Sequence, residues 1–367
     1  MSDVFFADKR EHFHFNVFNK LDILLEKINY KNIIKKNELV AIKIHFGEKG
    51  NTGYLNPLYA AHIVRKVKEI GAKPFLTDGS TIYKGTRTDA VSHIETAIKN
   101  GFNYATCEAP IIIADGLKGT NCVKINVNGE IVEVGAEVYN ADALICLTHF
   151  KAHELAGIGG ALKNIGMGLA SKKGKLKMHT TVSPFVKEKY CIFCKVCFSA
   201  CPANAISEKN KKAFINSNKC VGCGQCILSC AQKAITINWN IEPIKMMDLM
   251  ITYVKGILSN KINKMFFINF IEKVSPECDC YGHSDIPIVP DVGVLASIDP
   301  VAIDKASADL VNLQEGNKNT SLKSNFKSGE DKFLALHPNC NWMFQIKKAE
   351  ELGIGSSKYN LIKISEK

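Results

Sequence analysis

The 367-residue chain reads as an α/β protein: a mostly parallel sheet with flanking helices, interrupted by a small cysteine-rich α+β insert. Three observations predict this. Strand-like and helix-like segments alternate ahead of residue 183, two matched cysteine runs follow between residues 191 and 230, and α/β character then resumes. Alternation of that kind is the signature of a parallel sheet covered on both faces. The length suits two domains or one large domain with an insertion, and 46% hydrophobic residues can supply a sizeable core. The expected division is a first α/β part over 1–185, the insert over 186–240 and a second α/β part over 241–367.

Glu38 to Phe46 (ELVAIKIHF) is rich in β-branched residues and ends at Gly47, a buried-strand pattern. Pro57 opens a helix that runs to Ile70 and stops at Gly71, proline and glycine each at its favoured end. Lys73 to Thr77 is a second strand ending at Asp78-Gly79, and Thr88 to Asn100 a second helix stopped by Gly101. Ile111-Ile112-Ile113 and Ala143 to Thr148 read as further core strands. Beyond the cysteines, Lys264 to Phe270 and Val292 to Ala296 read as strands, and Pro300 to Leu313 as a helix. The insert therefore interrupts one α/β domain; two separate lobes joined by a linker is the alternative.

The cysteine runs are Cys191-x-x-Cys194-x-x-Cys197-x-x-x-Cys201-Pro202 and Cys220-x-x-Cys223-x-x-Cys226-x-x-x-Cys230. Thiolates are soft ligands suited to iron–sulfur clusters. Three at this spacing grip three corners of a cubane, and the fourth starts a helix leading away, which places it on the other cluster. The spacing predicts a ferredoxin-like two-cluster module: Cys191, Cys194, Cys197 and Cys230 on one [4Fe–4S] centre, with Cys220, Cys223, Cys226 and Cys201 on the second. Ala231 stands where the second run usually has proline. Zinc knuckles need one set of four ligands, not two interlocked sets. A disulfide framework needs an oxidising compartment, and the N-terminal stretch has no apolar signal region.

The chain carries 14 cysteines, so Cys107, Cys122, Cys146, Cys278, Cys280 and Cys340 remain beside the eight ligands. That many free thiols fits a cytoplasmic, oxygen-poor setting. No apolar run approaches the length that crosses a bilayer, so no membrane partner is expected. The net charge of +11 lacks basic–aromatic interleaving or a recognition motif, so no nucleic-acid partner is expected either. Its densest run, Lys172-Lys173-Gly174-Lys175-Leu176-Lys177, reads as a solvated linker, with a docking patch for an acidic redox carrier as the sharper reading.

A second site is expected where ligands collect in open α/β sheets, beyond the carboxyl ends of the strands. Those ends deliver His45 with Glu48, Asp78 with Ser80, and His149-Phe150-Lys151-Ala152-His153-Glu154. A lone histidine at a strand end is usually structural; His45, His149 and His153 together on one edge point to chemistry. The following stretch places Gly157, Gly159 and Gly160 ahead of Lys163, a backbone able to approach a cofactor closely. It matches neither the phosphate-loop nor the dinucleotide fingerprint. Lys84 and Arg87 would add a positive rim for an anionic small molecule. Cys278-x-Cys280 with His283 is either a pair of buried thiols or a soft-metal site. Asp299 is most simply the cap of the helix at Pro300.

These motifs resemble one known family. Asn51-Thr52-Gly53 with Pro57, Lys73 to Asp78, Tyr83-x-Gly85-x-Arg87, His93, Asn100-Gly101-Phe102, His149 to Asn164 and Asp299 to Asp304 together look like the iron–sulfur family catalogued as domain of unknown function 362. The resemblance spans nearly the whole chain and implies an α/β frame with a two-cluster insert, without fixing a reaction. A fainter similarity links His153, Ala156-Gly157, Gly159-Gly160 and Lys163 to the nickel-pincer lactate racemase fold, where such a lysine holds a cofactor. That similarity implies an active centre at His153 and Lys163.

The expected function is an iron–sulfur oxidoreductase or electron-transfer protein. A redox partner such as a ferredoxin would pass electrons through two [4Fe–4S] clusters to a substrate or cofactor site at His45, Asp78, His149, His153 and Lys163. Histidines there can serve as acid/base groups or ligands, and the lysine as an anchor. The alternatives are a dedicated electron carrier, or a non-redox racemase-like or ligand-binding protein with structural clusters.

Overall fold

The structure is a computed structural model that describes every residue except 83–84, 180–183, 202, 221–224, 237–242 and 365–367. Its central sheet holds strands β1 (Ser2–Asp8), β2 (Leu39–Lys43), β3 (Lys73–Thr77), β4 (Ala143–His149), β5 (Met265–Ile271), β6 (Gly293–Ser297) and β7 (Tyr359–Lys363). Their spatial order is β7-β1-β6-β5-β4-β2-β3. Only β6 runs against its neighbours β1 and β5; the other pairings are parallel. The fold class is thus the expected mostly parallel α/β sheet. Strands from before and after the cysteine runs share it, β4 pairing directly with β5.

Alternation along each strand feeds two cores. Val40, Ile42, Ile145, Leu147, Phe266 and Ile268 pack on one face, beneath α1 (Val17–Lys27) and α2 (Pro57–Glu69). Ala41, Leu144, Cys146 and Phe267 pack on the other face. That face is covered by α4 (Ala161–Gly166), α6 (Pro243–Leu258), α7 (Pro300–Asn312) and α8 (Met343–Glu351), while α3 (Ala90–Lys99) and α5 (Lys172–His179) lie near the carboxyl edge. Phe266 and Phe267 are both fully buried on opposite faces, and each contributes about 1.5–3 kcal/mol by leaving water. Helix starts are capped by side chains: Asn56 ahead of Pro57, Asp89 ahead of α3, which starts at Ala90 and not Thr88, and the expected Asp299 ahead of Pro300.

Residues 185–236 build a separate small unit. Phe185–Val186 pairs with Ile235–Thr236, Ile206–Lys209 pairs with Lys212–Ile215, and helical turns Val196–Ser199 and Gln225–Ser229 stand between. Its own core gathers Cys191, Cys197, Ile206, Ile215, Cys226 and Ile235. Ile227 packs on Ile82 and Leu176 of the larger body.

Several expectations need correction. Ile111-Ile112-Ile113 is not a strand: only Ile111 bridges to Leu76 before the chain turns toward Gly116. The lysine run is not a solvated linker but α5, with Lys172, Lys175 and Leu176 buried. Lys173 and Lys177 face outward and pair with Glu133 and Glu130. The strand β1, the edge strand β7 beside it and the long helix α6 are additions that the sequence reading did not contain.

Candidate functional site

β2, β3, β4 and β5 run parallel, so the residues that follow them meet along one edge of the sheet. Asp78, just past β3, is buried with its carboxylate 3.0 Å from Lys43 Nζ and 3.5 Å from Arg87 Nη1. Burial alone would raise its pKa, but Lys43, then His45, His93 and Arg87, outweigh it and hold Asp78 well below the carboxylate range. Arg87 also pairs with Glu48 at 3.2 Å and donates to His45 Nε2 at 2.9 Å. It is 1% exposed, so it is an internal counter-ion and not the exposed positive rim expected of it. Lys84 lies outside the described residues. Burial, then the Arg87 charge, push His45 well below the ordinary imidazole range. His93 packs edge-on to Phe46 with neither ring nitrogen hydrogen-bonded, and burial lowers it to about 3. Lys175 of α5 reaches into the same network, donating to Ser80 O and Gly168 O, and burial lowers it to about 8.

His149 ends β4 in a closed arrangement. Its Nδ1 faces Asp279 Oδ2 at 2.9 Å and its Nε2 faces the Glu272 carbonyl at 2.8 Å. Lys151 Nζ completes the set, 2.9 Å from Asp279 and donating to the His149 carbonyl. Both ring nitrogens are therefore engaged within the protein, and the group fixes the loop after β5.

That loop carries Cys278 to Lys163. Lys163 Nζ donates to Cys278 Sγ at 3.0 Å, and the Cys280 N–H points at the same sulfur at 3.4 Å. His153 Nδ1 accepts the backbone N–H groups of Leu155 and Ala156. His153 Nδ1 is thereby occupied, and the ring is among the groups that favour the Cys278 thiolate. The Cys280 thiol hydrogen bond, then Lys163 and His153, hold Cys278 well below the usual thiol range against burial. Cys280 moves the opposite way, raised by donating to Cys278 and by burial. Burial opposes the Lys163 charge, but Cys278 and then Cys280 raise it above the ordinary lysine value. His179 of α5 adjoins the same group and is lowered to about 3, first by burial and then by His153 and Lys163. His283 is exposed and pairs instead with Glu277 at 2.8 Å, so it does not join the two cysteines.

The glycine segment has internal reasons for its glycines. A Cβ at Gly160 would sit 2.3 Å from Asp304 Oδ1, and Gly157 takes φ +72° with Cys340 and Trp342 against it. Gly159 has ordinary room. Asp304 accepts the first N–H groups of α4, from Ala161 at 2.7 Å and Leu162 at 2.9 Å, as well as Asn269 Nδ2. Burial raises it to about 6. The orphan amides that would attract an anion are thus met by a carboxylate of the chain itself.

In the small unit, Cys191, Cys194, Cys197 and Cys230 all line one small pocket together with Ile192, Phe193 and Ile235. The two halves repeat each other. Ala205 N–H donates to Cys201 Sγ and Ala234 N–H to Cys230 Sγ, both at 3.3 Å, and Asn204 and Lys233 take left-handed φ values of 49° and 51°. Cys201, Cys220 and Cys226 belong to the same core, while Cys223 lies outside the described residues. Among the described residues, no three His, Cys, Asp or Glu side chains gather as around a single ion. The thiolates of a cubane stand farther apart than the ligands of one ion, and cubane ligation is a separate question.

The sequence profile of the domain of unknown function DUF362 matches residues 40–309, most of the chain. The chain belongs to the DUF362 family. No curated protein matches this DUF362 member. Among solved structures, lactate racemase apoprotein from Thermoanaerobacterium thermosaccharolyticum is similar at 14% identity and a TM-score of 0.36, over 74% of this chain and 51% of that one. A Thermotoga maritima protein is similar at 10% identity and a TM-score of 0.40, over 93% of this chain and 60% of that one. The chain thus spans about half to three-fifths the length of these two structures. No helix among the described residues of this DUF362 chain is long and apolar enough to cross a membrane.

Of the residues expected at the sheet edge, His45 and Asp78 fall in one buried charge network, and His153 and Lys163 meet around Cys278. His149 stands apart, tied to Asp279. Lys43 and His179 were missed, and Lys175 and Asp304 were named in their motifs without a role at this edge. The signal for Lys43 was a lone lysine in an otherwise apolar strand, LVAIK. A charge there needs a buried partner.

Proposed function

We propose that this DUF362 chain is an iron–sulfur electron-transfer protein, and that its α/β body carries the substrate or cofactor site that the electrons serve. One observation carries this reading: the four cysteines assigned to one cluster from spacing alone, three from the first run and one from the second, line a single pocket. The residues present fit a [4Fe–4S] group there. Four soft sulfur donors line it beside Phe193, Ala213 and Ile235, and a backbone amide points at the Cys230 sulfur, an interaction that tunes such centres. The repeated amide contact at Cys201 supports the same role for the second half. Cys191, Cys194, Cys197 and Cys230 would hold one cluster, with Cys220, Cys223, Cys226 and Cys201 on the other. When bound, the clusters would accept and release single electrons.

On the α/β body, Lys163 and His153 hold charge at Cys278, and Cys280 keeps a proton beside it. The Lys43–Asp78–Arg87 network keeps the neighbouring edge rigid. A dedicated carrier would have no use for such a buried polar centre, which weighs against that alternative. A cytoplasmic setting and a ferredoxin-type donor follow from the same reading.

The test is metal and sulfide analysis with electron paramagnetic resonance on anaerobically purified protein. About eight irons per chain and reducible [4Fe–4S] signals are expected. Protein that folds without iron, or that binds zinc in its place, would overturn the proposal.

A further inference from the structure

We propose that Cys278 and Cys280 form a reversible dithiol/disulfide couple that reduces a low-molecular-weight disulfide at the carboxyl edge of the sheet. This deepens the proposed function and rests on its placement of a redox site around Lys163.

Geometry brings the two sulfurs together. The Tyr281 N–H donates to the Cys278 carbonyl at 3.1 Å, closing a turn over Cys278-Asp279-Cys280. Two residues span at most ~7 Å when extended and less in a turn, so the Cα atoms fall within the ~4.4–6.8 Å that a disulfide bridges. The turn is held from outside: Asp279 between the two cysteines is pinned by His149 at 2.9 Å and Lys151 at 2.9 Å. Its carbonyl accepts the Glu48 N–H. Such anchoring keeps the thiols in place whichever redox state they are in.

The two thiols are also unequal. Cys278 faces an ammonium at 3.0 Å, a backbone amide at 3.4 Å and the His153 ring, all suited to a thiolate. Cys280 is held in its protonated form by the neighbouring Cys278 and by burial. An attacking thiolate beside a protonated resolving thiol is the arrangement that exchange requires. Exposure narrows the substrate class: Cys280 is partly exposed and Cys278 only 1% exposed, which excludes a folded protein and leaves a low-molecular-weight disulfide.

The reaction balances within the site. The Cys278 thiolate attacks one sulfur of R–S–S–R′, giving a Cys278–S–S–R mixed disulfide and R′S⁻. The Cys280 sulfur then attacks the Cys278 sulfur, the S–S bond that joins Cys278 to the RS group breaks, and the Cys280 proton leaves on RS⁻ as RSH. The substrate gains two electrons, and the pair becomes a disulfide that an external dithiol can reduce.

The experiment uses the full chain, purified anaerobically and equilibrated with oxidised and reduced glutathione, followed by differential alkylation and peptide mapping. Cys278 and Cys280 are expected to oxidise together, linked to each other, while buried Cys107 and Cys146 stay free. Cys280→Ser should stop at a glutathione adduct on Cys278. Lys163 stabilises the reduced thiolate, so Lys163→Met should favour oxidation by about tenfold, equivalent to ~30 mV, and Lys163→Arg should restore the balance. Thiols that stay reduced throughout, an adduct that never forms in Cys280→Ser, or an unchanged equilibrium in Lys163→Met would each overturn the couple. Iron and sulfide measured on the same sample report on the clusters separately. Full iron with inert thiols sinks only the couple, and a working couple without iron sinks only the electron-transfer reading.

Discussion

Lys163 Nζ and Cys278 Sγ lie 3.0 Å apart across the sheet edge, joined by residues 115 positions distant in sequence. Each is buried among groups that favour the charged form of the other. Removing one partner leaves the other charged and unpaired away from water. Cys278→Ala is therefore expected to cost about 3 kcal/mol in urea unfolding at pH 7, and adding Lys163→Met should recover part of it. A double-mutant cycle measures the coupling, and simple additivity of the two losses would remove the ion pair from the account.

Cross-ligation makes a sharp prediction about iron. Cys191→Ser and Cys230→Ser, one from each cysteine run, should each lose about four of about eight irons. The double variant should lose no more than either single one. A combined loss of about eight would mean that each run serves its own cluster.

Asp78 should matter chiefly to stability. Asp78→Ala strands Lys43 and Arg87 in the interior, and a loss of about 3–5 kcal/mol is expected. Chemical denaturation with unchanged iron content is the readout. A loss below about 1 kcal/mol would show that the network is not held by this carboxylate.

Asp304 gives a pH signature of opposite sign to an ordinary ion-paired carboxylate. Burial raises it from 3.8 to about 6, so between those values the folded chain binds the proton that the unfolded chain has released. Its contribution to stability is then present below about pH 4 and falls as pH rises to about 6, by about 3 kcal/mol in all. Subtracting the Asp304→Asn stability curve from that of the parent should isolate this slope; parallel curves between pH 4 and 6 would contradict it.

Gly160→Ala places a methyl group against that same carboxylate, 2.3 Å from Oδ1. Overpacking of this kind costs about 1–3 kcal/mol, and the melting temperature should drop accordingly. Gly159→Ala meets nothing closer than 3.6 Å and should be far milder at that position.

Much of the sheet was legible because its strands are short, largely apolar runs bounded by turn residues: Lys73–Thr77 falls at the expected residues, and Ala143 to Thr148 is extended only by His149. β1 and β7 escaped notice because each mixes buried with partly exposed residues and needs the other end of the chain to become a strand. At the site, strand ends pointed to His45, Asp78 and His153, and glycine spacing pointed to Lys163. The meeting of Lys163 with Cys278 was not legible, since no local pattern links positions so far apart. Arg87 misled for a related reason: an arginine after a strand looks like a surface cation until Glu48 and Asp78 are found beside it.

The lone antiparallel strand β6 sits between β1 and β5, and Ser297 of β6 bonds to the Asp3 carbonyl 294 residues earlier. On a translating ribosome, at about 5–20 residues per second, β1 emerges some ~15–60 s before its neighbour exists. Throughout that interval Phe5 and Phe6 have no sheet to join, and β5 presents an open edge as soon as it is made. The pairing of β1 with β6 thus closes late, after β2 to β5 have already been made.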